Sequence, residues 1–152
     1  MGMVRILVET KEGFPCLWES GGGLSDRGES TIIANKDGRP KKALRRGQLA
    51  NGEHALVPIE EGDYIINAFH RQNYCYTQDF SVEIYKVVEF EEIDEETFAV
   101  VEFYNGKYDM EHVICWGMPE WDEPLPAFLE DAVQAAMAKA TCYHCREPHF
   151  AI

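Results

Sequence analysis

Apolar and polar residues alternate most regularly between positions 80 and 91. The apolar residues of one parity are Phe80, Val82, Ile84, Val88 and Phe90, and the other parity carries Ser81, Glu83, Glu89 and Glu91. A period of two residues predicts a β-strand that buries one face. Lys86 and Val87 break the alternation, which predicts a β-bulge close to them.

The segment that follows predicts further strands joined by short turns. A largely apolar run at 98–103 and an alternating run at 108–115 each predict a strand. Asn105-Gly106 stands between them, and both residues tolerate the positive φ angles of a type I′ hairpin turn. An acidic turn is predicted at 92–96. The sequence therefore predicts an antiparallel meander of three strands over about 80–115.

Shorter apolar runs predict the remaining strands, and helical spacing predicts one helix. The runs lie near 3–9, 31–34, 54–59 and 64–69. The apolar residues with helical spacing are Phe128, Leu129, Ala132, Val133, Ala136, Met137 and Ala140. Residues three and four apart lie on one side of a helix, so these residues form a stripe that can dock on a sheet. We expect the helix over about 126–141.

These elements predict an α+β fold that is mainly β. The strands between about 3 and 115 are expected to form an antiparallel sheet that curls into a small barrel. The C-terminal amphipathic helix would pack on one face of this barrel or close one end, and residues 142–152 would form a tail. A length of 152 residues is typical of one domain, so we expect 1–152 to fold as a single unit.

Composition indicates the cellular compartment and the kinds of partner that the protein can bind. The formal net charge of −13 repels nucleic acid and anionic membranes at long range, but salt screens charges beyond about 8–10 Å, so a local basic patch can still act. No apolar run reaches the ~18 residues of a membrane span, and the first residues lack the apolar core of a secretion signal. Five cysteines, an odd number, fit a reducing compartment. We therefore expect a cytoplasmic protein with no membrane partner.

Six of the fourteen lysines and arginines fall between positions 36 and 46, which we call the basic segment. They are Lys36, Arg39, Lys41, Lys42, Arg45 and Arg46. This cluster predicts a site for a phosphate-containing ligand or for an acidic face of a partner protein. No aromatic residue lies between Asn35 and Gln48, so the stacking platform that RNA-binding proteins use is missing from the segment itself. The competing interpretation, which the sequence favours for this segment, is a solvated hairpin whose charge balances an acidic surface elsewhere. The acidic segment 89–96 would satisfy the basic residues as well as a partner protein would.

The C-terminal tail contains Cys142 and Cys145, a C-x-x-C pair. Two thiolates at this spacing can bind one ion on a turn, as in tetrahedral zinc sites. No second pair exists, so the remaining ligands would come from Cys115, His149, His112, Cys16 or Cys75, with Cys115 and His149 the most economical. The competing interpretation, two ordinary tail cysteines, is favoured, and no other cofactor is expected.

Three functional hypotheses follow. The favoured one is a non-catalytic binding or interaction module, because no catalytic motif is present and the basic and acidic segments are separate. The second is a barrel that binds RNA or phosphate ligands through the basic segment and the glycine-rich loop at 21–28. The third is an enzyme with a site in the barrel mouth near His54, His70 or Cys115.

Overall fold

The computed structural model describes residues 2–20, 29–49, 52–70, 80–111 and 120–140. The described strands are β1 Met3–Leu7, β2 Glu9–Lys11, β3 Phe14–Ser20, β4 Ser30–Ala34, β5 Arg45–Leu49, β6 Gly52–Pro58, β7 Tyr64–His70, β8 Phe80–Ile93, β9 Glu96–Glu111 and β10 Glu120–Trp121. A 3-10 turn at Ala127–Leu129 leads into the helix α1, Glu130–Lys139. The prediction of a mainly β fold with one helix is confirmed. No helix in the described part of the chain has the length and apolar character needed to cross a membrane.

The strands are antiparallel and form two layers that one residue pair connects. Hydrogen-bonded neighbours follow the order β1-β9-β8-β7-β4-β3-β6-β5, with β10 beside β9 and β2 beside β3. The link between β3 and β4 is the single pair Ser20 and Thr31. We call β1, β9, β8, β7 and β4 the central sheet, and β2, β3, β6 and β5 the outer sheet.

The central sheet is buried on both faces. On one face, Ile32, Ile66 and Ile84 pack in a cluster with the helix residues Val133 and Met137. The opposite face holds a second cluster, in which Ile33, Ile65, Val87 and Val101 of the central sheet pack with Ala55 and Val57 of the outer sheet. The helix therefore covers one face of the central sheet, and the outer sheet covers the other.

The predicted barrel is wrong, because β3 leaves β4 after one pair. Beyond that pair, the edge of β4 is occupied by other groups. The backbone N–H of Ile33 donates to the Glu19 carboxylate at 2.8 Å, and the Ile33 carbonyl accepts from the N–H of Lys41 at 3.0 Å. These contacts fill the positions that a neighbouring strand would need. Within the described strands, β1 and β5 end the path and do not pair with each other, so the sheet stays open.

The predicted hairpin turn at Asn105-Gly106 is also wrong. Strand β9 runs continuously through both residues. The acidic turn predicted at 92–96 is confirmed, since the chain turns at Asp94-Glu95, between the paired residues Ile93 and Glu96. Asp94 and Glu95 have φ angles of 52° and 67°, the positive values that a type I′ turn requires. The meander of three strands over 80–115 is therefore one long hairpin as far as Glu111, and residues 112–115 lie outside the described residues.

The register between β8 and β9 shifts at two places, and neither shift interrupts the pairing of the two strands. Glu83 pairs with Lys107 and Tyr85 with Phe103, so residues 104–106 of β9 lie opposite a single residue of β8. Asn105-Gly106 is thus contained in a bulged stretch of the strand. The second shift, between Val87 and Glu89, confirms the bulge predicted beside Val87.

The helix confirms the predicted apolar stripe but is shorter than expected. Leu129, Ala132, Val133, Ala136 and Met137 are buried against the central sheet. Phe128 is the exception, since it lies in the 3-10 turn and is 41% exposed. Acidic residues in the first turn of α1 and one lysine in the last turn suit the helix dipole, as the sequence indicated.

Candidate functional site

The basic segment is held in place by backbone hydrogen bonds. The Asn35 side-chain oxygen accepts the N–H groups of Asp37 and Arg39 at 2.9 and 3.0 Å, and the Asn35 N–H donates to the Arg39 carbonyl at 2.8 Å. Asparagine favours such turns because its side chain imitates a backbone acceptor. At the other end, the N–H of Leu44 donates to the Leu56 carbonyl at 2.7 Å. The segment is therefore attached to the fold at both ends.

Gly38 brings the basic segment against the start of the helix. Its φ is 81°, and a β-carbon built on it would lie 1.8 Å from the carbonyl oxygen of Phe128. A residue with a side chain would meet the backbone of the 3-10 turn and would also need an unfavourable φ. Glycine is required here for both reasons.

Lys41 differs from the other five basic residues. Its Nζ donates to Asp63 Oδ2 at 2.6 Å, and the two side chains are only 16% and 2% exposed. Asp63 also accepts the N–H of Glu60 at 2.8 Å. Burial raises the pKa of Asp63, while Lys41 and the Glu60 N–H oppose this rise. The charge of Lys41 is thus neutralised inside the fold.

The remaining five basic residues are not neutralised by a described ion pair, although the charge of Arg46 acts on Glu19 and opposes the rise of its pKa. Lys36, Arg39, Lys42, Arg45 and Arg46 are exposed, and in the described part of the chain none forms an ion pair. The sequence left open that the acidic segment 89–96 would balance them. In the structure Glu91 of that segment pairs with Arg5 at 2.6 Å instead. The balancing interpretation therefore finds no support in the described ion pairs.

Arg45 and Arg46 stand at the end of the sheet. They begin β5, whose one neighbour among the described strands is β6. Arg46 pairs with Ala55, which packs between the two sheets, whereas Arg45 pairs with Leu56. Successive residues of a strand point to opposite sides, so the two guanidinium groups flank β5, one on each side of the outer sheet.

Strand pairing also brings an aromatic residue to the outer side that carries Arg45. Leu56 pairs with Trp18 in β3, so Arg45 and Trp18 lie in one row, about 10 Å apart at the strand spacing. Trp18 is 40% exposed, and its ring lies 4.8 Å from that of His54. Sequence reasoning missed Trp18 because it searched for aromatics within the basic segment, and only the strand order connects the two.

A cavity of about 470 Å³ lies between β2, β3 and the β8–β9 turn, and Trp18 is part of its lining. Glu9, Glu95 and Glu96 line it, and its lining contains no lysine, arginine or histidine among the described residues. Cys16 is also in the lining, but its thiol is buried and donates to the Phe14 carbonyl at 3.4 Å. Burial raises the pKa of Cys16, which keeps the thiol protonated and unreactive. The cavity repels anions and offers no activated nucleophile.

Among the described residues, the candidates of the enzyme hypothesis, His54 and His70, do not lie together. The Ser81 hydroxyl lies 2.6 Å from Asp109 Oδ1, and His70 lies nearby at the end of β7. However, His70 pairs with Phe80, so its side chain points to the face of the central sheet opposite that of Ser81. His54 lies on the other sheet, and Cys115 lies outside the described residues. A Ser-His-Asp arrangement is therefore not formed by these side chains.

All the candidate zinc ligands except Cys16 lie outside the described part of the chain. They are Cys142, Cys145, His149 and Cys115, with the further candidates His112 and Cys75. Among the described residues, no three histidine, cysteine, aspartate or glutamate side chains converge to hold a metal ion. The zinc site stays a prediction.

Comparison of the chain with protein-family models, with curated proteins and with solved structures gives no match. The functional argument therefore rests on the geometry above.

Proposed function

We propose that the protein is a non-catalytic binding module whose basic segment binds an acidic segment of a partner protein. The observation that carries this proposal is the set of five exposed basic side chains without a described ion-pair partner, on a segment anchored by backbone hydrogen bonds. A fixed frame lowers the entropy lost on binding, since the charges are already placed.

The negative charge of the rest of the molecule does not prevent the basic segment from binding an acidic partner. The net charge of −13 acts at long range, but salt reduces it over about 8–10 Å. At contact distance, the charges of the basic segment dominate the electrostatic interaction with a partner. Binding through such rim charges should be fast and should weaken as salt is added.

A second candidate is a phosphate-containing ligand, including single-stranded RNA. The row of Arg45 and Trp18 supports it, because a base could stack on the indole while a phosphate meets the guanidinium. Glu9 opposes it, since its carboxylate accepts the indole N–H of Trp18 at 3.0 Å and places a negative charge beside the platform. We therefore favour the acidic protein segment.

Charge reversal within and outside the basic segment tests the proposal. A contact between unit charges ~5 Å apart in water is worth about 0.8 kcal/mol, so Arg45→Glu should cost about 1.6 kcal/mol, a loss of roughly 15-fold. Lys11→Glu is the matched control, because Lys11 is exposed on β2 and the net charge changes equally. Fluorescence anisotropy with labelled polyglutamate and labelled single-stranded RNA measures both affinities.

The outcomes separate the candidates. Loss of polyglutamate binding in Arg45→Glu, with binding retained in Lys11→Glu, supports the proposal. Equal losses in the two variants would mean that only the overall charge matters. Tighter binding to RNA than to polyglutamate, with a steep decline of affinity with salt, would replace the proposal by the phosphate candidate.

A further inference from the structure

The free edge of β5 indicates how the partner would bind. This inference rests on the proposed function. We propose that the acidic partner binds as an extended peptide that adds to β5 as a new antiparallel strand. In the described sheet β5 has β6 as its one neighbour, so alternate residues of β5 direct N–H and C=O groups away from the sheet. Strand addition satisfies such groups, and the backbone contacts supply affinity while alternate side chains supply specificity. RNA has no peptide groups to fill this edge.

The side chains of β5 specify the order of residues in the peptide. Arg45 and Arg46 lie on opposite sides of the outer sheet, and successive residues of an added strand alternate in the same way. Two consecutive acidic residues would therefore place one carboxylate beside each arginine. A single acidic residue, or two that are separated by one residue, would reach the arginine on one side alone.

Gly47 and His54 determine which side chain the peptide should carry next to its two acidic residues. Gly47 pairs with His54, and a β-carbon on Gly47 would lie 2.7 Å from His54 Cε1. The imidazole therefore occupies the space above Gly47, close to the free edge, with Trp18 behind it at a ring distance of 4.8 Å. A residue opposite Gly47 would face these rings, and an aromatic or large apolar side chain fits this contact.

Antiparallel addition then gives the order aromatic, acidic, acidic along the peptide. Antiparallel pairing is chosen because every described strand pair of this sheet is antiparallel. The chain itself contains this order at Phe90-Glu91-Glu92 and at Trp121-Asp122-Glu123. The first backbone is paired with β9; in the second, Trp121 pairs with Met110 of β9 and the Asp122 N–H donates to the Asp109 carbonyl at 3.0 Å. A second copy of this chain could offer either segment only after it had separated from β9, so the partner is a different protein.

The test uses a labelled, capped peptide with the order serine, threonine, phenylalanine, glutamate, glutamate, threonine, serine. Its anisotropy is measured with the full chain, and a series of peptides with one N-methylated amide each is compared. In an added strand every second amide bonds to β5, so N-methylation should weaken binding at least tenfold at alternate positions and leave the others unchanged. The double variant Arg45→Glu/Arg46→Glu should lose the peptide and should bind the same peptide with lysines in place of the glutamates.

The results distinguish the two proposals. If the N-methyl series shows no alternation while Arg45→Glu/Arg46→Glu abolishes binding, strand addition is overturned and the proposed function stands. If the wild-type chain binds polyglutamate but does not bind this peptide at about 1 mM in low salt, strand addition is overturned and the proposed function stands. If it binds neither, or binds the peptide as well after the double charge reversal, both fail. The milder variant Arg45→Gln/Arg46→Gln, with its denaturation midpoint, controls for damage to the fold. If it folds normally and binds undiminished, the arginines serve only to protect the edge from aggregation.

Discussion

Gly38→Ala offers a direct test of how the basic segment meets the helix. Among the described glycines, Gly13, Gly38 and Gly62 lie in turns with similar positive φ angles of 84°, 81° and 93°. A β-carbon on Gly13 would meet nothing within 4 Å, and one on Gly62 would come no closer than 4.0 Å to Lys36. On Gly38 it would lie 1.8 Å from the Phe128 carbonyl oxygen. The three positions therefore share the φ penalty, and Gly38 alone adds a backbone clash.

The magnitudes follow from these two contributions. A residue with a β-carbon in the left-handed region costs roughly 1–2 kcal/mol, which is the expected loss for Gly13→Ala and Gly62→Ala. An overlap of this size forces the segment and the 3-10 turn apart, and overpacking of this kind typically adds about 1–3 kcal/mol. We therefore expect Gly38→Ala to cost about 2–5 kcal/mol.

Urea denaturation of the wild-type chain and the three variants, followed by circular dichroism, measures these losses in free energy of unfolding. Equal slopes with denaturant would show that the variants unfold in the same manner as the wild type. A Gly38→Ala variant no less stable than Gly62→Ala would refute the contact between the basic segment and Phe128. The segment would then not be held by the helix.

Four further outcomes are expected. Leu129→Ala removes a fully buried side chain and should cost about 2–5 kcal/mol, so an unchanged denaturation midpoint would mean that the helix is detached from the sheet. Lys41→Met leaves the Asp63 carboxylate buried without its partner and should cost about 3–5 kcal/mol, and adding Asp63→Asn should recover part of this loss in a double-mutant cycle. Burial raises the pKa of Glu19 above its ordinary value of 4.5, so the folded state holds this proton to a higher pH than the unfolded chain; stability should fall as the pH rises above about 4.5, and Glu19→Gln should reduce this fall in thermal melts at a series of pH values. If the tail binds zinc through Cys142 and Cys145, metal analysis should detect it and a chelator should lower the melting temperature, whereas protein purified without zinc and unaffected by added zinc contradicts the hypothesis.

Local patterns in the sequence predict the parts of this fold that depend on near neighbours. The alternation from Phe80 marks β8, the helical spacing around Val133 marks α1, and the broken pattern at Val87 marks a bulge. The acidic turn predicted at 92–96 is confirmed at Asp94-Glu95, whereas Asn105-Gly106 does not form the second turn that its local preference indicates. Pairing of β8 with β9 decided the outcome, since a turn at Asn105 would have left residues 107–110 without their partners in β8.

The two-layer arrangement depends on contacts that no local pattern records. Nothing in the sequence distinguishes Glu19 from the other acidic residues, yet its carboxylate occupies the edge of β4 and keeps the sheet open. Trp18 and Arg45 become neighbours in one row only through the intervening β6. The candidate site was therefore predictable as a group of charges, but its edge strand and its aromatic neighbours were not.

The coverage of the central sheet on both faces has a consequence for how the molecule opens. Amide hydrogens of β4, β7 and β8 should exchange with solvent most slowly, because both side-chain layers must separate before these strands are released. The outer sheet joins the central sheet through one backbone pair, so β5 and β6 should open first, as a separate cooperative unit. An added strand on β5 would then slow exchange in β5 and β6 and leave the slowest amides unchanged. Hydrogen exchange would therefore detect peptide binding as protection of the part of the protein that opens first.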